Sequence, residues 1–188
     1  MWESIVQADQ ELSLFLNGLH SPFTDNLMLW ITGRMTWIPL YLLLIFWIFR
    51  SLGWKKGLFA VLTLAAAVGL SDFITSGLMK PHFERLRPCH NMALNSWLHT
   101  VGSCGGQYGF ASSHAANTFA LFAGIRFLFP EQKKIGIALL FWAIIVSYSR
   151  IYVGVHFLGD ILVGALIGFT IAAVLIKVFH LLWKKTHR

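Results

Sequence analysis

Charge is scarce in this sequence. Only 12% of its 188 residues are Asp, Glu, Lys or Arg, while 56% are apolar, and an ordinary soluble domain carries about twice that charge. Too few ionic groups remain to cover a water-facing surface, so a soluble globule is excluded and an integral membrane protein is expected. Linkers are missing too: no Ser-, Pro- or Gly-rich stretch divides the chain, and residues 1–188 are expected to form a single domain. Met1-Trp2-Glu3 lacks the basic start and short apolar core of a cleaved signal peptide, which leaves the first span to act as the membrane signal. Nucleic acid is excluded as a partner. The net charge of +7 sits in short segments between apolar runs, and no basic face with interleaved aromatics recurs.

What the chain does have is long apolar runs. Residues 5–19 set Ile5, Ala8, Leu12, Phe15, Leu16 and Leu19 on one helical stripe and Gln7, Asp9, Gln10, Ser13 and Asn17 on the other face, the pattern of a helix lying along a membrane interface. Ser21-Pro22 has the N-cap and first-turn signature of a new helix. From there an apolar run reaches Phe49, densest after Thr36, and further runs cover about 57–79, 113–129, 135–148 and 157–183. Each is near the roughly 20 residues that span hydrocarbon, the third and fourth at the short end. The expected fold is all-α, a polytopic helical membrane bundle of about five transmembrane helices plus an N-terminal interfacial helix.

The order of charges then sets the topology. The loop from Arg50 to Lys56, the loop from Pro130 to Lys134 and the tail with Lys184, Lys185 and Arg188 fall on one side, and all are basic. The positive-inside rule makes that side cytoplasmic. The segments Lys80–Ser112 and Ser149–Asp160 lie on the opposite side, where Lys80, Arg85, Arg87 and Arg150 break the charge rule and read as kept for a ligand, against the plainer reading of side chains snorkelling from span ends. Arg34 and Asp72, inside the outward halves of the first two spans, are expected to pair with each other. Cys89 and Cys104 bracket the outward segment and read as a disulfide. A zinc site with His90 and His99 is the alternative, though the C-x2-C spacing is absent.

Ionisable groups at membrane depth are costly unless paired or hydrated, so their presence points to function. His156 and Asp160 are four apart, which stacks them on one face if the last span starts near His156 and lets the carboxylate fix the imidazole tautomer. An ordinary buried pair tying two helices together is the bland reading. Ser112 is placed to cap the helix that begins at Ser113, whose outward N-terminus attracts an anion, and His114 sits in its first turn. His20, His82, His90, His99, His180 and His187 have no such setting and are expected at the surface or interface.

Lys80 with Arg87-Pro88, then Ser112-Ser113-His114, then Ser149-Arg150 with His156 and Asp160, in this order and spacing, resembles the type 2 phosphatidic acid phosphatase superfamily. The resemblance covers about residues 80–160. The family's second motif usually reads Pro-Ser-Gly-His; here it is Ala111-Ser112-Ser113-His114, with a hydroxyl as a possible donor in place of the Gly. The resemblance implies that His156 is a nucleophile forming a phosphohistidine and Asp160 orients it. It further implies that His114 protonates the leaving oxygen and that Lys80, Arg87, Arg150, Ser112 and Ser113 hold the phosphoryl group. Such transfer depends on positioning and cationic clamping, so no metal or cofactor is expected.

The expected activity is hydrolysis of a lipid phosphate within the bilayer, at the periplasmic face of a bacterial inner membrane. Family analogy puts undecaprenyl diphosphate first, ahead of phosphatidylglycerol phosphate, phosphatidate and lipid A phosphates. The loop from Cys89 to Phe110, rich in large apolar residues, reads as a lid or lipid guide. Two rivals stand beside this reading: a proton-coupled carrier, disfavoured by the lack of internal repeats, and a vanadate-binding haloperoxidase relative, disfavoured by the chain's apolar character.

Overall fold

The computed structural model describes residues 2–186; His187, expected at the surface, lies outside them. The described residues form helices and loops with no named strand, only an isolated bridge between Leu86 and Tyr108. Helix α1 spans Trp2–Asn17, α2 Pro22–Thr32, α3 Ile38–Leu52, α4 Trp54–Asp72, α5 Lys80–Phe83, α6 Ser113–Leu128, α7 Lys133–Tyr152 and α8 Leu158–Thr186. Four stretches are long and apolar enough to cross a membrane: 35–52, 54–83, 133–152 and 158–185. The third expected span, α6, has 16 residues, short of the roughly 20 that cross unaided.

Small residues explain where α6 goes. Ala115, Ala116, Ala120 and Ala123 are fully buried, and a Cβ on Gly164 or Gly168 of α8 would strike the carbonyls of Ser112 and Ala116. The backbones of α6 and α8 therefore touch along Gly164, Gly168 and Ala172, the small-residue packing that membrane helices favour. Helix α6 becomes the inner helix of the bundle, and the longer helices surround it.

The run from Pro22 to Phe49 is not one helix. Ser21 caps α2 through a reciprocal box with Thr24, as its sequence suggests, but α2 stops at Thr32. Gly33 is extended and a 3-10 turn at Met35–Trp37 leads into α3. Thr36 Oγ1 and Trp37 Nε1 donate to the carbonyls of Trp30 and Ile31 at 2.6 and 2.8 Å, so side chains satisfy the helix end. In α4 the break is of another kind: Phe73–Met79 forms a π-helical segment joining α4 to α5, a widening found often at functional sites.

Helix α1 covers the expected amphipathic segment, and the structure adds which of its faces points inward. Its apolar stripe faces outward, with Ile5, Leu12, Phe15 and Leu19 exposed, while Ser13 and Asn17 are buried. The polar face grips the turn between α7 and α8. Asp9 Oδ1 accepts from Gly159 N at 2.7 Å and Ser13 Oγ from Leu158 N at 2.8 Å. Asn17 Nδ2 donates to the carbonyls of Ile151 and Tyr152 at 3.0 and 2.8 Å. Residues 9, 13 and 17 share one helical face, and that face holds the end of one span and the start of the next.

The three basic segments share one end of the bundle. Trp47 meets Phe129 in a tilted contact with centroids 4.3 Å apart, Phe59 meets Trp183 at 6.0 Å, and Arg126 donates to the Pro130 carbonyl at 3.1 Å. Helices α1 and α2, the segment after α5 and the α7–α8 turn gather at the other end.

Candidate active site

The site is built on the α7–α8 turn. Val155 N and His156 N donate to the Arg150 carbonyl at 3.1 and 3.2 Å, and Gly154, at φ +77°, takes a left-handed conformation that a side chain would strain. This turn drops His156 just before α8, almost fully buried. Its Nδ1 lies 3.1 Å from Asp160 Oδ2, which also accepts from Phe157 N at 3.0 Å. The carboxylate accepts a hydrogen bond from Nδ1–H, so Nε2 is the nitrogen left with a lone pair. Burial pushes the imidazole down to about 4, against the opposing pull of Asp160 and with help from Arg150 and Arg87. His156 is therefore neutral near pH 7, the form able to attack.

Asp160 is held on its other oxygen by a residue read from sequence only as a cation kept for a ligand. Arg85 Nη1 donates to Asp160 Oδ1 at 2.8 Å and Nη2 to Asp9 Oδ2 at 2.6 Å, while the guanidinium lies 4.3 Å over the ring of Phe157. Arg85 thus joins α1 to the carboxylate behind His156. Its partners are spoken for within the protein, and its contribution is to position Asp160.

The other cations converge from separate elements. Arg87 is buried, with Nε toward the Tyr108 carbonyl at 3.3 Å and Nη1 toward the Cys104 carbonyl at 3.0 Å. Cys89 and Cys104 are joined in a disulfide with Cα atoms 6.0 Å apart, which fixes the loop that supplies this carbonyl. A Cβ on Gly109 would lie 3.0 Å from Asp160 Oδ2, 3.3 Å from Arg87 Cγ and 3.5 Å from His156 Nδ1, so the bare glycine lets Arg87 approach the pair. Arg150 donates to Thr32 Oγ1, and its buried Nε has no partner. Lys80 Nζ reaches Ser113 Oγ at 3.1 Å and Ser76 Oγ at 3.3 Å. Thr75 and Ser76, from the π-helical segment, meet the same Ser113 oxygen at 2.9 and 2.7 Å.

Ser112 caps α6, accepting weakly from Ala115 N at 3.5 Å, and its own N–H donates to the Asp160 carbonyl at 2.9 Å. That bond ties the start of α6 to the start of α8. His114, in the first turn of α6, lies within electrostatic reach of Arg150, His156 and Arg34. It lines a cavity of about 310 Å³ together with Ser113, Arg34, Asp72 and Asn117. All eight residues singled out from sequence for chemistry thus gather at one end of the bundle. The expected Arg34–Asp72 pair does not form: no ion pair joins them among the described residues, and Asp72 accepts from Asn117 Nδ2 at 3.1 Å. Of the histidines set aside, His99 is more than a surface group, because its Nε2 lies 2.9 Å from Asp25 Oδ1 and its ring stacks on His20.

This is a helical membrane protein whose buried histidine–aspartate pair stands among three cations, a helix start and a second histidine, an arrangement suited to taking a phosphoryl group onto nitrogen. The chain belongs to the PAP2 superfamily, whose family model matches residues 58–184. A lipid A 4′-phosphatase of Bacteroides thetaiotaomicron is 35% identical over 89% of this chain and 75% of its own length. A lipid A 4′-phosphatase of Porphyromonas gingivalis is 32% identical over 94% of the chain and 75% of that protein. An undecaprenyl-diphosphatase of Bacillus subtilis is 30% identical over 85% and 80%. The crystal structure of a transmembrane PAP2 type phosphatidylglycerolphosphate phosphatase from Bacillus subtilis shares the fold at TM-score 0.71 and 22% identity, covering 94% of this chain and 86% of that one. Aquifex aeolicus LpxE shares it at TM-score 0.68 and 23% identity, over 89% and 94%. The chain is accordingly a membrane PAP2 lipid phosphatase, a phosphoric ester hydrolase and not a carrier.

Proposed function

We propose that the protein removes a phosphate from a lipid A type saccharolipid through a phosphohistidine on His156, at the non-cytoplasmic face. The observation that carries the mechanism is His156 Nδ1 held against buried Asp160, which leaves Nε2 free to attack. Its lone pair forms an N–P bond as the P–O bond to the lipid breaks, and the departing oxygen takes a proton from His114, whose charged form the bound dianion favours. Water then attacks phosphorus, the N–P bond breaks, and His114 takes the water's proton. Lys80, Arg87, Arg150 and the Ser112–Ser113 turn hold the peripheral oxygens, where the charge of a transferring phosphoryl group resides. No step calls for a metal.

The two lipid A 4′-phosphatase relatives favour the saccharolipid over undecaprenyl diphosphate, which the sequence alone put first. The undecaprenyl-diphosphatase relative keeps that polyprenyl substrate as the second reading. Charge and the disulfide support the assignment of the face: the basic segments lie at the end away from the site, where the positive-inside rule assigns cytoplasm, and a disulfide at the site end suits an oxidising compartment. The proposed location is a periplasmic site on a bacterial inner membrane.

Purified protein in detergent, with excess EDTA, is to be assayed for phosphate release from a lipid A type phosphate, undecaprenyl diphosphate, phosphatidylglycerol phosphate and phosphatidate. The highest kcat/KM is expected on the first, with inhibition by vanadate and loss of turnover in His156→Ala. Wild-type rates in both His156→Ala and His114→Ala would overturn the mechanism, and a higher kcat/KM on undecaprenyl diphosphate would overturn the substrate.

A further inference from the structure

The cavity beside His114 contains two groups that phosphoryl transfer does not use. Asp72 and Asn117 face one another across α4 and α6, with Asn117 Nδ2 donating to Asp72 Oδ1 at 3.1 Å and the buried Asn117 Oδ1 left without a partner. Arg34 lines the same space and forms no ion pair among the described residues. Trp37 and Tyr41 supply aromatic surface along the α3 side. A carboxylate, an open amide oxygen and an arginine at membrane depth are costly, and their placement calls for a ligand.

The position of the cavity identifies which part of the substrate would enter it. In an in-line displacement the leaving group departs opposite the nucleophile, and His114 is the group placed to protonate it. The lining includes Ser113 and His114 but not His156, so the space lies on the leaving-group side. An apolar groove of about 450 Å³ between α3, α4 and α6 shares Tyr41 and Asn117 with it, so the polar cavity and the apolar groove adjoin at these two side chains.

Resting on the saccharolipid reading, we propose that this cavity is a leaving-group subsite for an acylated sugar: Asp72 and Asn117 Oδ1 accept from its hydroxyl or amide donors, Arg34 donates to its oxygens, and Trp37 and Tyr41 cover the apolar ring face. An acyl chain attached to that sugar lies in the adjoining groove. Asp72 would repel a phosphate leaving group at its end of the cavity, and Arg34 alone would have to offset it. A sugar hydroxyl, by contrast, gives the carboxylate and the open amide oxygen the donors they lack.

The test uses the full chain in detergent, with Asp72→Asn and Asn117→Ala beside wild type. Two readouts are taken: kcat/KM on a glucosamine-based lipid phosphate relative to phosphatidate, and inhibition of phosphatidate hydrolysis by the corresponding phosphate-free acylated glucosamine. Each variant is expected to shift the kcat/KM ratio against the sugar substrate by about tenfold or more, the size of a lost hydrogen bond to a charged or buried acceptor. The acylated glucosamine is expected to inhibit wild type and to weaken by a similar factor in the variants. Equal losses on both substrates, or inhibition unchanged by either variant, would assign Asp72 and Asn117 to charge balance and packing and overturn the subsite. If wild type ignored the glucosamine lipid phosphate while its phosphate-free form still inhibited selectively, the saccharolipid reading would fail and the subsite would stand.

Discussion

Replacing Arg85 tests whether the His156–Asp160 pair is held from behind. The side chain of Asp160 is completely buried and Arg85 is 25% exposed, so Arg85→Ala removes the cation from one oxygen of a buried carboxylate. Breaking a buried pair by deleting one partner costs about 3–5 kcal/mol; the partial exposure of Arg85 and the remaining Phe157 N–H place this case nearer about 2–3 kcal/mol. A loss of that size lowers a thermal inactivation midpoint by roughly 5–10 °C for a chain of this length. Activity shifts in a defined direction. With its cation gone, Asp160 is more basic toward His156 and favours the imidazolium, so the imidazole pKa rises from about 4. The acid limb of kcat/KM against pH should move up by on the order of one unit. Arg85→Lys restores charge but cannot fork between Asp9 and Asp160, so it should recover the pH profile and only part of the midpoint. If Arg85→Ala kept both the wild-type midpoint and the wild-type acid limb, the positioning role would be wrong.

Three further outcomes follow from the same geometry. Because burial holds His156 below its ordinary 6.5, the unfolded chain binds a proton that the folded one refuses. Stability is then fully present above about pH 6.5 and lost as pH falls toward about 4; inactivation midpoints should show this drop, and His156→Gln should flatten it. Reducing the disulfide, or Cys89→Ser with Cys104→Ser, releases a loop whose closure is worth about 3 kcal/mol in the chain-entropy model, and freeing the carbonyl that holds Arg87 should raise KM more than it lowers kcat. Gly168→Ala sets a methyl against the Ala116 carbonyl and should destabilise by about 1–3 kcal/mol, whereas Gly69→Ala, which meets nothing within 4 Å, should leave the inactivation midpoint within a degree or two.

Much of this architecture could be read from residues. Apolar runs gave the long helices, Ser21 and Ser112 marked two helix starts through capping chemistry, and the spacing of His156 and Asp160 predicted their contact. The small-residue series at Gly164, Gly168 and Ala172 was also there to be read, and it signals the inner position of α6. Other features left weaker traces. The apolar run from Pro22 to Phe49 hides the break at Gly33, because side-chain bonds from Thr36 and Trp37 satisfy the helix end without any change in hydropathy. Arg34 and Asp72 looked like a pair because both are charges at similar depth, but depth along a span says nothing about which way a helix turns its face.

Helix α1 shows why amphipathicity is ambiguous beside a lipid phase. A stripe of apolar residues points inward when water is outside, and outward when lipid is, so the pattern over residues 5–19 fixes the helix but not its orientation. Here the polar stripe turns inward, and the reason is backbone chemistry at the start of α8. Helix starts leave N–H groups without intrahelical acceptors. Those of Leu158 and Gly159 are taken by Ser13 and Asp9, and that of Phe157 by Asp160. The start of α8 is thereby closed to an anion. At the start of α6, Ser112 accepts from Ala115 N on its hydroxyl and from Ala116 N on its carbonyl, and among the described residues no side chain accepts from Ser113 N or His114 N. The helix start left open to an anion is therefore the one beside His114 and Lys80, and under the proposed mechanism the phosphate belongs between the two histidines.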